Sequence, residues 1–549
     1  MRNLNAESRP VVRARGPSRA GRASGRLGAA GGGRFESAGD LVFSSPRSDP
    51  GIPLLSLTVP DPTMRRFWSC LPPAARLLLA LCVLAGAGLV PPEAAAQPGS
   101  GAASASPPNI LVLVADDAGW RDFGAYGNDV IRTPNVDRLA ETGLTYERAF
   151  LTTPQCSPSR ISMLTGKYPH ATGAEDLHMP LPEHETILPT YLRREAGYLT
   201  GIMRKRHLGA PGNEQFDWYD PAEDHDYSAF TEFLDRAQGQ GRPFFLWVGF
   251  SDPHRPYADS IIDRPHDPAR VRVPPYLADT PSTRADLARY YDEIARMDQN
   301  VGGFVETLER RGLRDNTLIV FLSDNGAPFP RAKGSLYDAG IRTPLVVNWP
   351  GEVEPGTYDG LTSVIDLAPT LLDVVGLSVP PDMQGRSIAA TLEDRSVPGR
   401  DFVFSERNWH DTDAHMRSLR TDRYKLITNG YPGRPFPIAA DIGDSPAWFD
   451  LLRKKRAGTL TDAQARLFET PRPAVEVYDL RADEWELRNV AGTPEHDAAI
   501  DSLVRRLHRW REATGDFPAS RRTRADHTDR ATGVWYRPEI PPMRHDGTP

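Results

Sequence analysis

Two pairs of oxygen-bearing side chains each follow an apolar, β-rich stretch of the sequence. Asp116 and Asp117 come directly after NILVLVA, and Asp324 and Asn325 come shortly after LIVFL. Carboxylate and amide oxygens bind hard divalent cations such as Ca²⁺ or Mg²⁺ rather than zinc. Neighbouring carboxylates at a crowded edge repel each other unless a cation lies between them. The four residues are therefore predicted to hold a metal ion, and the alternative is two solvated acidic turns.

Cys156 opens a segment whose residue types are typical of a helix start. Pro158 fits the first turn and Gly166 fits the position just past the end, so a helix is predicted with Cys156 at its N-terminus. The amides of a helix N-terminus and the guanidinium of Arg160 favour an anion there. A nucleophile at this position would face an oxyanion such as sulfate or phosphate. A buried, inert cysteine is the alternative.

Two further apolar stretches are followed by side chains that can carry charge or move a proton. They are Lys205 and His207 after residues 199–203, and Asp252 and His254 after residues 244–250. Ligands of parallel sheets bind beyond the carboxyl ends of the strands, so four separate segments are predicted to meet at one edge. A single acid after a strand is about as often a helix cap, but four such segments together are harder to explain in that way.

The apolar stretches indicate the sheet that positions these residues. Five of them alternate with helical patterns, at residues 109–115, 199–203, 244–250, 318–322 and 345–349. Continuous apolar strands between helices predict an α/β fold with a largely parallel sheet that is covered on both faces. The longest predicted helix spans residues 284–311, where apolar residues recur three or four apart, and Asp298 within it is expected to be exposed.

From about residue 390 the pattern changes to short strands and one amphipathic helix. A hairpin is predicted over residues 416–421 and 424–428, a strand over 475–480 and a helix over 501–510. These elements predict a smaller α+β domain at residues 390–515, after a catalytic domain at residues 107–385. Residues 516–549 are polar and rich in Pro and Arg, and they are predicted to be a loose tail.

The first hundred residues have a different composition. Residues 1–63 contain arginine but no lysine among Gly, Ala, Ser and Pro, and they are predicted to be a disordered, non-structural extension. Residues 64–97 begin Met-Arg-Arg and contain a 14-residue apolar run at 77–90, which is typical of a signal peptide. That run is shorter than the about 20 residues that span a membrane. Translation is therefore expected to start at Met64, and the protein is expected to be periplasmic or secreted.

Composition excludes several classes of protein. Of the 549 residues 39 % are hydrophobic, which excludes a wholly disordered chain, and only three are cysteines, which excludes a disulfide-stapled scaffold. The formal net charge is −7, and loss of the arginine-rich N-terminal residues leaves a more acidic chain, which does not suggest nucleic-acid binding. After cleavage of the signal peptide, Cys156 has no intramolecular disulfide partner.

Cys156-Ser157-Pro158-Ser159-Arg160, followed by Leu164-Thr165-Gly166, resembles the signature of type I sulfatases, in which the cysteine is oxidised to formylglycine. The resemblance extends over nearly all of residues 108–512. Further segments that resemble the family are residues 109–117, 205–209, 252–254, 323–326, 333–344 and 478–489. The resemblance implies an alkaline-phosphatase-like sandwich with a large, mostly parallel central sheet flanked by helices, plus a smaller α+β C-terminal domain.

The resemblance also implies a metal ion and a chemically rebuilt nucleophile. Asp116, Asp117, Asp324, Asn325 and the modified Cys156 would hold one Ca²⁺ per chain. A separate maturation enzyme would convert Cys156 to formylglycine. The hydrate of formylglycine would attack the sulfur of the substrate while the metal holds a sulfate oxygen.

Five basic residues complete the implied mechanism. Arg160, Lys205 and Lys333 would offset charge on the transferring sulfuryl group. His254 would protonate the leaving group, and His207 would take a proton from the second hydroxyl of the hydrate so that sulfate is expelled. The implied substrate is a sulfated oligosaccharide.

Within the family the sequence resembles the heparan N-sulfatases, which implies removal of N-sulfate from glucosamine by exo action. The supporting segments are residues 252–256, 275–288, 296–299, 328–330 and 435–438. That subgroup has an arginine near Lys333, where other sulfatases have lysine, so the sulfated sugar stays open. The alternatives are an O-sulfatase on another sulfated sugar, a phosphomonoester or phosphonate hydrolase of the same superfamily, and a glycan-binding protein whose Cys156 remains a thiol. The sequence does not specify the oligomeric state.

Overall fold

The computed structural model describes residues 106–220, 222, 227–259, 261–412 and 414–521. The predicted extension at residues 1–63 and the predicted signal peptide at residues 64–97 lie outside this part of the chain, as does the tail beyond residue 521. No helix within the described residues is both long enough and apolar enough to cross a membrane.

The described residues form strands β1 to β15 and α-helices α1 to α14. The strands, in chain order, are Asn109–Ala115, Leu144–Tyr146, Ala149–Phe150, Leu199–Arg204, Trp218–Asp220, Phe244–Gly249, Thr317–Ser323, Arg342–Thr343, Leu345–Asn348, Gly356–Tyr358, Thr362–Ser363, Phe402–Arg407, Met416–Thr421, Tyr424–Asn429 and Val475–Asp479. The helices, in chain order, are Pro134–Glu141, Cys156–Thr165, Pro169–Thr172, Leu188–Ala196, Gly209–Asn213, Ser228–Gln240, Pro281–Arg310, Asp338–Ile341, Leu367–Val374, Ala390–Glu393, Ala440–Gly443, Pro446–Ala457, Asp462–Ala465 and Asp497–Thr514.

Eight strands form the central sheet, in the order β10-β2-β9-β7-β1-β6-β4-β5. Strands β7, β1, β6, β4 and β5 run parallel to one another. Every residue of β1, β4, β6 and β7 is buried, in agreement with their near-continuous apolar sequences. Ala115 pairs with Ser323 and Val114 pairs with Gly249, so the carboxyl ends of these strands lie at the same edge. The residues that follow them are therefore brought together.

The predicted α/β fold with a mostly parallel central sheet is confirmed. Four of the five predicted strands correspond to β1, β4, β6 and β7. The fifth corresponds to β9, which runs antiparallel to both of its neighbours, β2 and β7. A three-stranded sheet of β11, β3 and β8 lies apart from the central one.

The longest helix, α7, follows Thr280, whose side chain accepts a hydrogen bond from the amide of Thr283. The expectation that Asp298 in this helix is exposed is wrong, because Asp298 is only 1 % exposed. Its carboxylate accepts hydrogen bonds from the backbone amides of Asn135 at 3.1 Å and Val136 at 2.8 Å. It thereby caps the N-terminus of α1 from a neighbouring helix. Burial raises the pKa of Asp298 to about 6, although these hydrogen bonds lower it.

The C-terminal region contains a separate antiparallel sheet of β12, β13, β14 and β15, against which α14 packs its apolar side chains. The predicted hairpin, strand and helix correspond to β13 with β14, to β15 and to α14. The first residues of the predicted loose tail are packed rather than loose. Asp516 pairs with Arg417 at 2.6 Å, and Phe517 is buried.

Candidate active site

The two acidic pairs meet at the edge where β1 and β7 end. The amide of Asp117 donates to Asp324 Oδ1 at 3.2 Å, and the amide of Asp324 donates to the carbonyl of Ala115 at 3.1 Å. Asp117 has a φ of 73°, which turns the chain sharply after β1. Asp116, Asp117, Asp324 and Asn325 are all fully buried. The structure therefore brings the predicted metal ligands together.

These residues fit a divalent cation. One oxygen each of Asp116, Asp117 and Asp324 and the sulfur of Cys156 lie within 4.8 Å of one another. The side-chain oxygen of Asn325 is buried and has no hydrogen-bond partner among the described residues, which costs free energy unless a ligand binds it. A hard cation would supply that partner and offset three buried carboxylates. The cluster could therefore bind a metal ion, and its oxygen donors favour Ca²⁺ or Mg²⁺.

Cys156 is the first residue of α2, as predicted, and it is 2 % exposed. Its Sγ lies 3.6 Å from Asp116 Oδ1 and 3.8 Å from Asp117 Oδ1. Gly166 ends the helix with a φ of 66°, a conformation that favours glycine. Burial raises the pKa of the Cys156 thiol well above its usual value, and the neighbouring ammonium groups offset only part of this.

Arg160 lies one turn after Cys156 on α2 and is fully buried. Its Nε donates to Asp324 Oδ2 at 2.7 Å, and its Nη1 donates to the carbonyl of Lys205 at 2.9 Å. Its Nη2 lies 3.9 Å from Asp116 Oδ1 and has no hydrogen-bond partner among the described residues. A buried guanidinium with an unused donor beside Cys156 can bind an anionic oxygen.

Two lysines contact the carboxylates. Lys205 Nζ donates to Asp116 Oδ2, and Lys333 Nζ donates to Asp117 Oδ2 at 2.7 Å. Burial raises the pKa of Asp117, but the charges of Lys333 and His254 outweigh burial and hold that pKa below its usual range. Burial lowers the pKa of Lys333, but the acidic groups around it, Asp117 foremost, together outweigh burial and raise that pKa well above its usual value. The ammonium of Lys333 therefore stays charged and can neutralise an anionic substrate.

His254 presents one ring nitrogen to the acidic cluster. Its Nδ1 bonds to the carbonyl of Arg255, and its Nε2 lies 3.9 Å from Asp117 Oδ2. The side chain is 31 % exposed, so a ligand from solvent can approach it. Asp252 belongs to the same segment, but its carboxylate is not part of the acidic cluster. It accepts a hydrogen bond from Arg296 Nε at 2.9 Å. The structure thus brings His254 to the site and uses the side chain of Asp252 to hold α7.

His207 lies beside His178, with the two ring centroids 5.0 Å apart. The amide of His178 donates to Ser157 Oγ at 2.6 Å, which ties this pair of rings to the first turn of α2. Burial lowers the pKa of His207 well below its usual value, and Lys205 and His178 lower it further. Its Nδ1 is buried without a hydrogen-bond partner among the described residues. A neutral imidazole of this kind can accept a proton.

Two side chains from the C-terminal region complete the site, and no sequence pattern points to either of them. Trp409, just after β12, packs against Cys156 and Leu177. Asp441, in the short helix α11, accepts a hydrogen bond from Lys333 Nζ at 2.9 Å. Neither residue ends a strand of the central sheet or belongs to a recognisable motif.

An open cleft of about 700 Å³ lies over this edge of the sheet. Basic side chains outnumber acidic ones in its lining, and they include Lys205, Arg206, His207, His254 and Arg255. Such a cleft attracts and concentrates anionic ligands. The fold and the site together define an enzyme that acts on an anionic oxygen-rich group.

Comparison with known proteins gives the family. Residues 108–377 match the family described as Sulfatase, and residues 332–433 match that described as N-sulphoglucosamine sulphohydrolase, C-terminal. The chain is 33 % identical over 470 residues to N-sulphoglucosamine sulphohydrolase of Homo sapiens. That alignment covers 76 % of this chain and 92 % of that protein. It is 29 % identical over 453 residues to an ulvan-active sulfatase of Formosa agariphila, covering 74 % of this chain and 75 % of that protein. The chain belongs to the sulfatase family and is an enzyme of that class.

Solved structures share the fold. A protein in complex with its substrate D-glucosamine-2-N,6-O-disulfate aligns with a TM-score of 0.58 at 21 % identity, covering 76 % of this chain and 100 % of that chain. A phosphonate monoester hydrolase of Agrobacterium radiobacter aligns with a TM-score of 0.58 at 20 % identity, covering 74 % of this chain and 96 % of that chain. The family matches confirm the sulfatase resemblance, and these structures confirm the fold class expected from the sequence.

Proposed function

We propose that this sulfatase removes the N-sulfate of glucosamine from fragments of heparan sulfate or heparin. The identity of 33 % to human N-sulphoglucosamine sulphohydrolase, over 92 % of that protein, supports this substrate. The match of residues 332–433 to the C-terminal region described for that enzyme supports it further.

One observation carries the proposed chemistry. Cys156 Sγ lies 3.6 Å from Asp116 Oδ1, at the N-terminus of a helix and among the buried cations Arg160, Lys205 and Lys333. The sulfur of a substrate bound beside residue 156 would be surrounded by three positive charges. Charges fixed in this way stabilise the negative charge that the transferring group carries in the transition state.

We propose that residue 156 acts as formylglycine and that the acidic cluster binds one Ca²⁺ through Asp116, Asp117, Asp324 and Asn325. The match to the sulfatase family and the place of Cys156 beside the acidic cluster support the conversion. When bound, the ion polarises an oxygen of the substrate and lowers the pKa of the attacking hydroxyl. The separate maturation enzyme that such a conversion requires is part of the proposal.

Two histidines would move the protons. His254 presents Nε2 to the site and would give a proton to the leaving nitrogen. His207, which burial keeps neutral, would accept a proton from residue 156 and so help to expel sulfate. The two rings would therefore serve two successive steps: His254 as the N–S bond breaks, and His207 as the bond between the carbon of residue 156 and the sulfate oxygen breaks.

We also propose that the enzyme is exported. The apolar run at residues 77–90, the arginines before it and the small residues after it support a signal peptide. Both family matches begin after it, one at residue 108 and the other at residue 332.

The modification is tested by the mass of the peptide that contains Cys156, isolated from protein made in its native host. We expect the mass of the aldehyde, and Cys156→Ala should lose all turnover while its urea unfolding midpoint stays close to that of the wild type. An intact thiol in a fully active enzyme would overturn the mechanism. An intact thiol in an inactive protein that binds sulfated glycans would favour the glycan-binding alternative.

The substrate is tested by sulfate release from matched glucosamine disaccharides that carry a single sulfate at N or at O. We expect release from the N-sulfated disaccharide with a kcat/KM at least about 100-fold above that for the O-sulfated one. Preference for an O-sulfate would show a different sulfatase. Preference for a phosphonate monoester over every sulfate would assign the chain to the other activity found on this fold.

A further inference from the structure

We infer that Asp441 selects N-sulfates over O-sulfates by accepting a hydrogen bond from the sulfamate nitrogen. The inference rests on the proposed function. It names Asp441 as the side chain that distinguishes a leaving nitrogen from a leaving oxygen.

Asp441 lies on the side of the site where the leaving group must stand. Its Oδ2 is 3.8 Å from His254 Nε2, the nitrogen assigned to protonate the leaving atom. The side chain is 19 % exposed, so a ligand that enters from solvent can reach it. A substrate atom that accepts or donates a hydrogen bond at His254 Nε2 on the side of Asp441 can contact Asp441 as well.

One oxygen of the Asp441 carboxylate accepts a hydrogen bond within the protein, and the other accepts none from the described residues. Lys333 Nζ donates to Oδ2 at 2.9 Å, whereas no described residue donates to Oδ1. Lys333 also donates to Asp117 at 2.7 Å, so Asp441 is not the sole counter-charge of that lysine. Asp441 thus has an acceptor left for the substrate.

The carboxylate is held in place from both sides. The amide of Ala440, the preceding residue, donates to Asp411 Oδ2 at 2.7 Å, and His410 Nδ1 lies 2.8 Å from the same oxygen. Lys333 restrains the carboxylate itself. A side chain fixed before the substrate arrives discriminates more sharply than a mobile one, because little freedom is lost on binding.

The two kinds of sulfate differ at the atom that Asp441 would meet. The nitrogen of a sulfamate carries a hydrogen and can donate to a carboxylate. The bridging oxygen of a sulfate ester carries no hydrogen and offers only lone pairs, which a carboxylate repels. Asp441 therefore stabilises an N-sulfate and disfavours an O-sulfate in the same position.

Asp441 would also stabilise the product of the reaction. The attacking hydroxyl of residue 156 first gives its proton to water. As the N–S bond breaks, its electron pair stays on nitrogen, the nitrogen takes a proton from His254, and the sulfur forms a new bond to the deprotonated oxygen of residue 156. The resulting amine then takes a second proton from water and becomes an ammonium ion. Asp441 forms an ion pair with this ammonium, which no alcohol product could do.

The test compares wild type and Asp441→Asn in the mature, Ca²⁺-loaded enzyme, with glucosamine N-sulfate as substrate. We expect kcat/KM to fall on the order of 10- to 100-fold, the effect of losing one hydrogen bond to a charged group. Glucosamine and inorganic sulfate are then measured separately as inhibitors. We expect the inhibition constant of glucosamine to rise about 10-fold or more and that of sulfate to change less than about 3-fold.

Two further variants control the experiment. Asp444→Asn removes the same charge from an exposed residue three positions along the chain and should leave both inhibition constants unchanged. Asp441→Glu restores the charge and should recover part of the affinity for glucosamine.

The outcomes separate the inference from the function on which it rests. If Asp441→Asn weakens sulfate and glucosamine equally, Asp441 only positions Lys333 and the inference is wrong, while the proposed function stands. If wild type hydrolyses O-sulfated but not N-sulfated glucosamine, the proposed function is wrong and the inference is overturned with it.

Discussion

His415, the residue just before β13, makes the free energy of unfolding depend on pH. Burial and, to a smaller extent, the nearby charge of Arg417 lower the pKa of His415 to about 4, against the opposing effects of the Phe517 carbonyl and Asp516. Its Nε2 lies 3.0 Å from that carbonyl and must carry the hydrogen to donate there. The folded protein therefore keeps His415 neutral where the unfolded chain, with an ordinary pKa of about 6.5, protonates it.

The unfolded state binds more protons between these two values, so stability falls as the pH falls through this window. Each pH unit costs about 1.4 kcal/mol of unfolding free energy, and the loss begins near pH 6.5 and is complete below about pH 4. Between pH 7.5 and pH 5 the contribution amounts to about 2 kcal/mol. Above pH 6.5 both states are neutral and the contribution does not change.

The assay is urea unfolding at pH 7.5 and pH 5, followed by tryptophan fluorescence, for wild type and for His415→Gln. The glutamine amide can still donate to Phe517 but cannot titrate, so we expect wild type to lose about 2 kcal/mol more than this variant between the two pH values. His184→Gln, at a side chain that is 80 % exposed, is the matched control and should behave like wild type. Equal losses in wild type and His415→Gln would refute the reasoning.

Three further outcomes are expected. Lys333→Met should lower kcat/KM on the order of 100- to 1,000-fold because it removes a buried charge beside Asp117, whereas Lys333→Arg should keep more activity; steady-state kinetics measure both. Treatment with a chelator should abolish turnover and added Ca²⁺ should restore it, and the melting temperature should rise with Ca²⁺ in wild type but not in Asp324→Ala. Asp298→Ala should lower the free energy of unfolding by about 2 kcal/mol, because two amides at the start of α1 lose their acceptor, and Asp298→Asn should lower it less; urea titration at neutral pH decides this.

The strands and the residues that follow them are predictable because one physical rule connects them. A buried parallel strand is apolar throughout, and parallel strands place their carboxyl ends together, so the sequence alone assigns Asp116 and Asp324 to one edge. Cys156 can be placed at a helix start because proline and glycine mark the two ends of that helix.

Other features carry no such rule. Trp409 and Asp441 enter the site from the C-terminal region, where neither period nor spacing ties them to the strands of the central sheet. Acids in helices are mostly solvated, which is why the pattern around Asp298 predicts an exposed side chain. Its partners are the amides of Asn135 and Val136, and a contact between segments so far apart in sequence leaves no local pattern. The antiparallel direction of β9 likewise depends on the connection that precedes it rather than on its own residues.

The cover that Trp409 forms over Cys156 sets an order of events during biosynthesis. The thiol is only 2 % exposed, and part of what shields it is made some 250 residues later along the chain. A maturation enzyme could not reach this cysteine once β12 and the segment after it are packed. If the side chain is oxidised as proposed, the oxidising enzyme meets it on a chain still emerging or not yet folded. Whether a molecule is active would then be determined before it folds, and a molecule that folds with unmodified Cys156 would remain inactive.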